Sequence, residues 1–451
     1  NLNIENIVKK YLNYIIRGSE KMKRKIELKN VKGTYDYLPN EQRIRNFINE
    51  TLKEIFEKYG YQPLETPIIC YYDLLAGKYD ESNDLLNEIY KLTDQGKRKL
   101  GLRYDLTVPF AKCITITKDL RLPFKRYEIG KVFRDGPVKT GRDREFIQCD
   151  VDVVGIQGQM IEAELISLFI EGYNKLGIDV IVKYNSRNLM SGLIIEQGIS
   201  SDLVSNVITI IDKLDKIKEE ELLKEFNNLN INNEKANNLL NIFKLDLNQL
   251  NEKYQNTNNE LIKKGLSELN ELESYIKEYK DNIKFVATLA RGQEYYTGNV
   301  FEVYSKNNEL SCSLGGGGRY DNMITDFIGD GNKYPAVGIS FGLSTIYEIL
   351  KNKEQFKNRS LIDIYIIPMN TKKESLVLAN KLRNLGYKVD IEMNDKKLKK
   401  SFEYANKENI PYVIVLGEEE INNKYFYIKN MSTGQQTKIE NVDDLKNSSL
   451  F

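Results

Sequence analysis

Arg144-Glu145-Phe146-Ile147-Gln148-Cys149-Asp150-Val151-Asp152-Val153-Val154-Gly155 is the stretch on which the fold reading turns. Successive side chains of a strand point to opposite faces. Arg144, Phe146, Gln148, Asp150 and Asp152 therefore share one face, and Ile147, Cys149, Val151 and Val153 the other. An ordinary solvent-facing strand carries Lys, Glu and Thr on its wet side. Two carboxylates, an amide and a phenyl ring there read instead as the floor of a polar pocket. Immediately upstream, Phe124 to Arg134 is a second strand-like run, and Asp135 to Asp143 between them contains Gly136, Pro137 and Gly141. The two runs are expected to form a long-looped antiparallel hairpin. Arg134 closes its first strand, where a forked guanidinium suits a carboxylate or a phosphate beside the polar face of the second.

Outward from the hairpin, Pro39 opens a helical pattern with Ile44, Phe47, Ile48, Leu52, Ile55, Phe56 and Tyr59 on one side, and Gly60 stands where a helix-ending glycine belongs. Gln62 to Ile69 reads as extended. Leu102 to Val108 alternates, sending Arg103, Asp105 and Thr107 one way, so a second polar-faced strand is expected there. From Ser201 to Tyr279 the chain turns to Leu, Asn, Lys and Glu at helical spacing, which predicts an inserted helical module that includes the Asn-rich part from Asn227 to Asn259. Strand character returns at Lys284 and runs through Thr288 to Glu302, then Gly315 to Gly318, then Ala336 to Leu343 before a helix. A sheet is thus expected to span the insert. The four glycines before Arg319 leave two readings open, a phosphate cradle or close backbone packing.

After Arg359 the pattern is strand, helix, strand, helix, strand, from Ile362 to Leu416. It marks a compact α/β domain of parallel-sheet type, completed by Lys424 to Lys429 and Gln436 to Ile439. Lys396, Lys397, Lys399 and Lys400 crowd one end, either as a solvated helix face or as phosphate contacts. At the other terminus, Leu2, Ile4, Ile7, Val8, Leu12, Ile15 and Ile16 predict a short amphipathic helix ending near Gly18.

Composition limits the chemistry. With 451 residues several domains are expected, and 66 basic against 65 acidic residues leave a net charge of +1, so any polyanion must be met by local basic patches. The four cysteines, Cys70, Cys113, Cys149 and Cys312, contain no Cys-x-x-Cys pair, which argues against a zinc site and against a disulfide framework and fits a reducing cytoplasm. No apolar run has the length of a membrane span, so no membrane partner is expected. The chain contains no histidine at all, which removes imidazole as base, nucleophile or metal ligand. A biased nucleotide composition, which also enriches Asn, Lys, Ile and Tyr and leaves no Trp, is the favoured reading of that absence.

Several of these segments together resemble the histidyl-tRNA synthetases, a class II aminoacyl-tRNA synthetase family, over nearly everything after residue 28. Lys32-Gly-Thr-Tyr-Asp-Tyr37 resembles the family's opening. Asn46 to Pro67 resembles motif 1, the family's dimer interface, and Leu102-Arg-Tyr-Asp-Leu-Thr-Val-Pro109 is similar to a histidine-binding segment. Phe133-Arg-Asp135 to Gly155 resembles motif 2. Leu289-Ala-Arg-Gly-Gln-Glu-Tyr-Tyr-Thr-Gly298 resembles the histidine-specific peptide, the most specific of these matches. The implied fold is mixed α/β, a mostly antiparallel class II sheet with flanking helices, a helical insertion and a C-terminal α/β anticodon-binding domain. The implied division is 1–27 as an N-terminal helical extension, 28–195 and 281–355 as two parts of the catalytic domain, 196–280 as the insertion, and 360–451 as the anticodon-binding domain.

The resemblance implies two steps. L-histidine and ATP, with Mg²⁺, give histidyl adenylate and pyrophosphate, and a terminal ribose hydroxyl of tRNA-His then takes the histidyl group. By resemblance Arg134 contacts the α-phosphate and Arg291 bridges substrate carboxylate and phosphate, supplying fixed positive charge without reorganisation. Asp105, Thr107 and Gln148 match the positions that hold the α-ammonium, and Asp152 and Tyr296 those that receive the imidazole nitrogens, with Tyr295 beside them. Buried polar partners of this kind reject an apolar side chain of similar size by about 10⁴ or more. Phe146 is expected to stack on adenine, Arg144 and Glu145 to belong to the ATP site, and Glu145 to be a candidate Mg²⁺ ligand.

One departure stands out in Gly338-Ile-Ser-Phe-Gly-Leu-Ser-Thr-Ile346, which resembles motif 3 but has Thr345 where the family carries an arginine on the ATP site. Weaker ATP binding, a substitute cation or loss of activation are the three consequences open at this point. Retention of Arg134, Arg291, Asp152 and Tyr296 favours an active enzyme. The rival readings are a histidine-sensing regulatory subunit of ATP phosphoribosyltransferase, which typically lacks the C-terminal domain, and a synthetase-like module that senses uncharged tRNA. A homodimer is implied by the motif 1 match.

Overall fold

The structure is a computed structural model that describes residues 27–77, 84–117, 119–139, 141–214, 217–291, 295–356 and 360–447. The amphipathic helix expected at the N-terminus lies outside the described residues. The chain divides into two compact units, Asn1–Glu348 and Ile349–Phe451.

The first unit begins with helix α1 (Pro39–Lys58). Pro39 stands in its first turn, Glu41 Oε2 accepts the Leu38 N–H at 2.9 Å, and the buried stripe Ile44, Ile48, Leu52, Ile55 and Phe56 faces the sheet. Gly60 ends it at φ +80°, a left-handed conformation open to glycine at little cost. The strands that follow are β1 (Gln62–Pro63), β2 (Ile69–Tyr71), β3 (Lys91–Thr93), β4 (Lys99–Leu102), β5 (Phe124–Phe133), β6 (Glu145–Val154), β7 (Val180–Ser186), β8 (Ile283–Phe285), β9 (Asn299–Ser305), β10 (Gly315–Arg319) and β11 (Ala336–Gly342). The main sheet has the order β1-β5-β6-β11-β10-β9-β7-β8, parallel only at the β1–β5 and β7–β8 pairs, and β2-β4-β3 form a small antiparallel sheet. The expected hairpin is present: β5 and β6 pair antiparallel from Phe124↔Val154 to Phe133↔Glu145.

Two expected strands are absent. Leu102 to Val108 is not a strand, because β4 ends at Leu102 and Thr107 starts helix α2 (Thr107–Ile116). The Asp105 carboxylate accepts the Val108 N–H at 3.1 Å and Pro109 fits the first turn, so the period-two pattern there belongs to a helix entry. Residues 286–291 and 295–298, between β8 and β9, lie outside any strand. Asn185 Nδ2 donates to the carbonyls of Ala287 (2.7 Å) and Leu289 (3.1 Å), taking acceptors that a strand ladder would have used.

One face of the sheet is apolar and covered by α1 and α3 (Met160–Lys175). Phe341 of β11 packs on Phe56, Phe169 and Tyr173 with ring centroids 4.8–5.7 Å apart. The insertion is helical as expected: after α4 (Arg187–Glu196) come α5 (Val204–Ile211), α6 (Glu219–Asn228), α7 (Asn233–Ile242), α8 (Leu247–Tyr254) and α9 (Glu260–Tyr275). Side chains of Asn232, Asp246 and Asn259 cap α7, α8 and α9, so the Asn-rich composition marks helix starts. Helices α10 (Asp321–Ile328) and α11 (Leu343–Leu350) follow β10 and β11.

The second unit contains β12 (Ile364–Pro368), α12 (Lys372–Asn384), β13 (Val389–Ile391), α13 (Leu398–Lys407), β14 (Tyr412–Leu416), β15 (Phe426–Asn430) and β16 (Gln436–Ile439). In the order β13-β12-β14-β15-β16 the first three strands are parallel, as expected, and the last two add on antiparallel. Among the described residues no helix is long and apolar enough to cross a membrane.

Candidate active site

The polar face of the main sheet carries two adjoining cavities. Alternation along β6 sends Gln148, Asp150 and Asp152 into the smaller one, of about 110 Å³, and β11 adds Ser340 beside them. The entry of α2 contributes Asp105 and Thr107, and the segments 286–291 and 295–298 contribute Arg291, Tyr295 and Tyr296. The larger cavity, about 620 Å³, is lined by Phe146, Lys139, Arg142, Glu302, Tyr304 and Thr345 among others. Arg134 lines both. Its Nε donates to the Tyr104 carbonyl at 3.1 Å, and its guanidinium stands 5.2 Å from the Phe146 ring centroid.

The glycine run is the back wall of the small cavity, and close packing is the reading the structure supports. A methyl group at Gly316 would lie 2.5 Å from Arg291 Nη1 and one at Gly318 2.8 Å from the Tyr296 ring, while one at Gly315 would lie 2.7 Å from the Tyr173 hydroxyl on the helix-covered face. Arg291 is thereby laid against the bare strand and paired with Glu302 at 3.1 Å. The second Glu302 oxygen accepts from the Tyr304 hydroxyl at 2.6 Å.

Beside these acceptors, on the same face of the sheet, runs a buried ionic chain. Arg126, directly opposite Asp152 in the hairpin, is fully buried, with Nη2 2.7 Å from Asp152 Oδ2 and Nη1 3.6 Å from Glu128. Glu128 also accepts from Arg103 (2.7 Å) and from the Thr66 N–H (3.0 Å). Asp152 Oδ1 accepts from the Tyr320 hydroxyl at 2.6 Å. Each Asp152 oxygen keeps a second lone pair for a ligand. Burial pushes the Asp105 carboxyl up to about 6, against the pull of the Val108 N–H and Arg134. It raises Asp152 as well, opposed by Arg126, and raises Asp150 with Asp152 adding to the effect.

Arg134, Arg291, Asp105, Thr107, Gln148, Asp152, Tyr295 and Tyr296 are therefore brought together, with Phe146 and Thr345 next door. Arg144 and Glu145 are not. Arg144 precedes the strand and braces the hairpin loop, donating to the Gly136 carbonyl at 3.2 Å and pairing with Asp135. Glu145 has the parity of Ile147 and Cys149, opposite to Phe146, and pairs with Lys131 at 2.6 Å. It does not fit the Mg²⁺ role, and among the described residues no group of three acidic or thiol ligands is arranged to hold a metal ion. The Thr345 hydroxyl donates to backbone carbonyls, Gly342 at 2.8 Å and Leu314 at 3.3 Å, and so offers a phosphate nothing. Arg126, Tyr320 and Ser340 were not expected from sequence, whereas Asp150 lies on the expected pocket floor without an assigned role. Counting back by twos from Arg134 along β5 reaches Val132, Gly130, Glu128 and Arg126, a signal that finds the buried arginine.

The family model for histidyl-tRNA synthetase matches residues 33–346, and that for an anticodon binding domain matches residues 363–446. The chain belongs to the histidyl-tRNA synthetase family. It is 45% identical over 421 residues to histidine–tRNA ligase 1 of Bacillus cereus, covering 92% of this chain and 98% of that one. The histidine–tRNA ligase of Clostridium acetobutylicum is 36% identical over 443 residues, covering 94% and 100%. Among solved structures, histidyl-tRNA synthetase from Nostoc sp. PCC 7120 superposes with a TM-score of 0.81 at 28% identity, covering 94% of this chain and 98% of that one. A structure from Bacillus halodurans C described as an ATP phosphoribosyltransferase regulatory subunit/histidyl-tRNA synthetase gives 0.73 at 23% identity, covering 87% and 99%, which speaks to the shared fold alone. The family's fold, a class II sheet followed by an anticodon-binding α/β unit, is the fold found here.

Proposed function

We propose that the small cavity is the histidine site and the larger one the ATP site of this histidine–tRNA ligase. The observation that carries the reading is Arg134, which lines both cavities and so marks where the histidine carboxylate meets the α-phosphate. In the first step a carboxylate oxygen attacks phosphorus, the bond to the leaving pyrophosphate breaks, and histidyl adenylate remains. In the second a terminal ribose hydroxyl of tRNA-His attacks the acyl carbon and AMP leaves with the bonding electrons. Both steps gather negative charge around phosphate. Arg134 and Arg291, held in place by Tyr104 and Glu302, face that charge already oriented.

Asp105, Thr107 and Gln148 are assigned to the α-ammonium, whose three donors match acceptors grouped on one side. Asp152, Tyr296 and the neighbouring Tyr295 are assigned to the side chain. Phe146 takes the adenine, backed by the Arg134 guanidinium. With an uncharged Thr345, the phosphates beyond the α-position are met by Lys139 and Arg142, which line the larger cavity. No step is routed through Mg²⁺, because the Glu145 proposed from sequence faces away.

The anticodon-binding unit supports tRNA-His as the macromolecular substrate. The two catalytic parts, 28–195 and 281–355, supply one site across the 196–280 insertion. A homodimer is supported by apolar side chains left exposed around the edge strand β2, with Ile69 at 56% and Tyr71 at 59%. A cytoplasmic location follows from the substrates. The test is histidine-dependent exchange of pyrophosphate into ATP, followed by charging of tRNA-His. Arg291→Ala is expected to depress adenylate formation far more than histidine binding, and Asp152→Ala mainly to damage amino-acid selection. Background exchange by the unaltered chain would reject the enzyme reading in favour of a histidine sensor, and equal loss of both properties in both variants would contradict the roles.

A further inference from the structure

One acceptor of the small cavity has no role in this account. Asp150 lies between Gln148 and Asp152 on the cavity side of β6 and is only 4% exposed. Ser340, its register partner on β11, hydrogen-bonds one carboxylate oxygen, and Oδ1 is buried with no partner. Gln148 Nε2 donates to Ser340 Oγ at 3.4 Å, which leaves Gln148 Oε1 unpartnered, as is Asp105 Oδ2. A buried acceptor without a donor is destabilising. Three of them around about 110 Å³ point to a ligand rich in N–H groups.

Charge decides what Asp150 meets. Arg126, on the same face as Asp150, is paired with Asp152 and stands 3.6 Å from Glu128, Arg291 is paired with Glu302, and Arg134 serves the nucleotide side. Asp105 answers the α-ammonium. The other groups facing Asp150 are Asp152 on its own strand, Ser340 from β11, Asp105 from the entry of α2, and the Tyr296 and Tyr320 hydroxyls. Arg126 also acts on Asp150, but its single charge is shared with Asp152, which it pairs at 2.7 Å, and with Glu128. We propose that Asp150 is a specificity-determining residue whose Oδ1 and the substrate imidazole share a single proton. A carboxylic acid against a neutral ring and a carboxylate against an imidazolium carry the same total charge, so only the proton moves and no other bond changes. The inference rests on the small cavity being the histidine site.

The empty pocket supplies that proton, since burial, reinforced by Asp152, holds the Asp150 carboxyl well above the ordinary carboxylate range. Below about pH 6.5 free histidine brings a ring proton of its own and one must be released on binding. Above the Asp150 titration one must be taken up. Affinity therefore peaks between the two and falls by up to about tenfold per pH unit on each side. An uncharged residue at 150 removes the alkaline limb only.

The experiment is calorimetric titration of histidine into the full chain and into Asp150→Asn, near pH 7 and near pH 9, in two buffers of different ionisation enthalpy. Uptake approaching one proton in the unaltered chain at the alkaline pH, absent from Asp150→Asn, is the expected result. Titration of the substrate's own α-ammonium is common to both proteins and cancels. Equal uptake and equal pH slopes in the two would overturn the proposal. Ser340→Ala gives an independent reading: loss of a donor to the charged carboxylate should move the alkaline limb to higher pH, and an unmoved limb counts against the proposal. Because the chain has no histidine, nitrogen resonances of ring-labelled histidine report the bound ring alone. Asp105→Asn and Asp152→Asn separate the two failures. If both bind histidine normally, the cavity assignment falls and the inference with it; if both lose it while Asp150→Asn behaves like the unaltered chain, only the inference falls.

Discussion

A single methyl at Gly316 probes Arg291 without touching its chemistry. The added Cβ would stand 2.5 Å from Arg291 Nη1, 2.9 Å from its Cζ and 2.6 Å from the Phe301 carbonyl oxygen. Ordinary contact begins near 3.4 Å, so the guanidinium must retreat by about 0.9 Å (3.4 minus 2.5), and its 3.1 Å pairing with Glu302 cannot keep its present geometry. A displacement of ~1 Å in a positioned group costs about 10²-fold in rate. At 1.36 kcal/mol per tenfold that is ~2.7 kcal/mol of transition-state stabilisation. In Gly316→Ala, single-turnover formation of histidyl adenylate should slow by about 100-fold, while histidine affinity, set by Asp105, Gln148 and Asp152, changes by less than about threefold. The Phe301 carbonyl cannot swing aside, so a stability loss of about 1–3 kcal/mol should accompany it in thermal melts. The double variant Gly316→Ala/Arg291→Ala separates the two effects, because a methyl that acts through the guanidinium adds nothing to the rate loss of Arg291→Ala. Adenylation at the full rate in Gly316→Ala, or losses that simply add in the double variant, would refute the reasoning.

Two other substitutions test the site. Arg126→Met should cost about 3–5 kcal/mol by leaving Asp152 buried without its cation, while Glu128 keeps Arg103. Because burial already raises the Asp152 carboxyl and losing Arg126 raises it further, the folded state holds that proton more tightly than the unfolded one. The deficit relative to the unaltered chain should therefore grow as pH rises through the raised pKa of Asp152 in the unaltered fold and be smallest in acid, a trend that chemical denaturation at several pH values would check. Thr345→Arg should lower the KM for ATP by about tenfold or more, the value of a charge-assisted hydrogen bond, and leave that for histidine unchanged. An unchanged KM for ATP would mean that Lys139 and Arg142 already satisfy the phosphates.

The hairpin was legible because strand period and turn chemistry agree over Phe124 to Val154 and nothing competes with them. The same period reaches Arg126 and Glu128, although Arg134 at the strand end is the residue that stands out in the sequence. Tyr320 had no local signal, since its contact with Asp152 spans 168 residues of chain. Leu102 to Val108 misled because a strand end followed by a helix entry also alternates for a few residues, and the Pro109 that marks the helix was given no weight. Arg144 and Glu145 show how sharply parity decides: one lies just outside the strand and the other on its far face. The glycine run could not be settled without knowing which side chains press on it, and Tyr173 and Arg291 come from distant elements.

β6 is bonded along both edges, to β5 through ten register pairs and to β11 through seven. The backbone that presents Gln148, Asp150 and Asp152 is thus braced on either side, whereas Arg291 lies outside the strands. Under the proposed roles, the choice of amino acid rests on the doubly bonded strand and its activation on a guanidinium steadied by a side-chain ion pair.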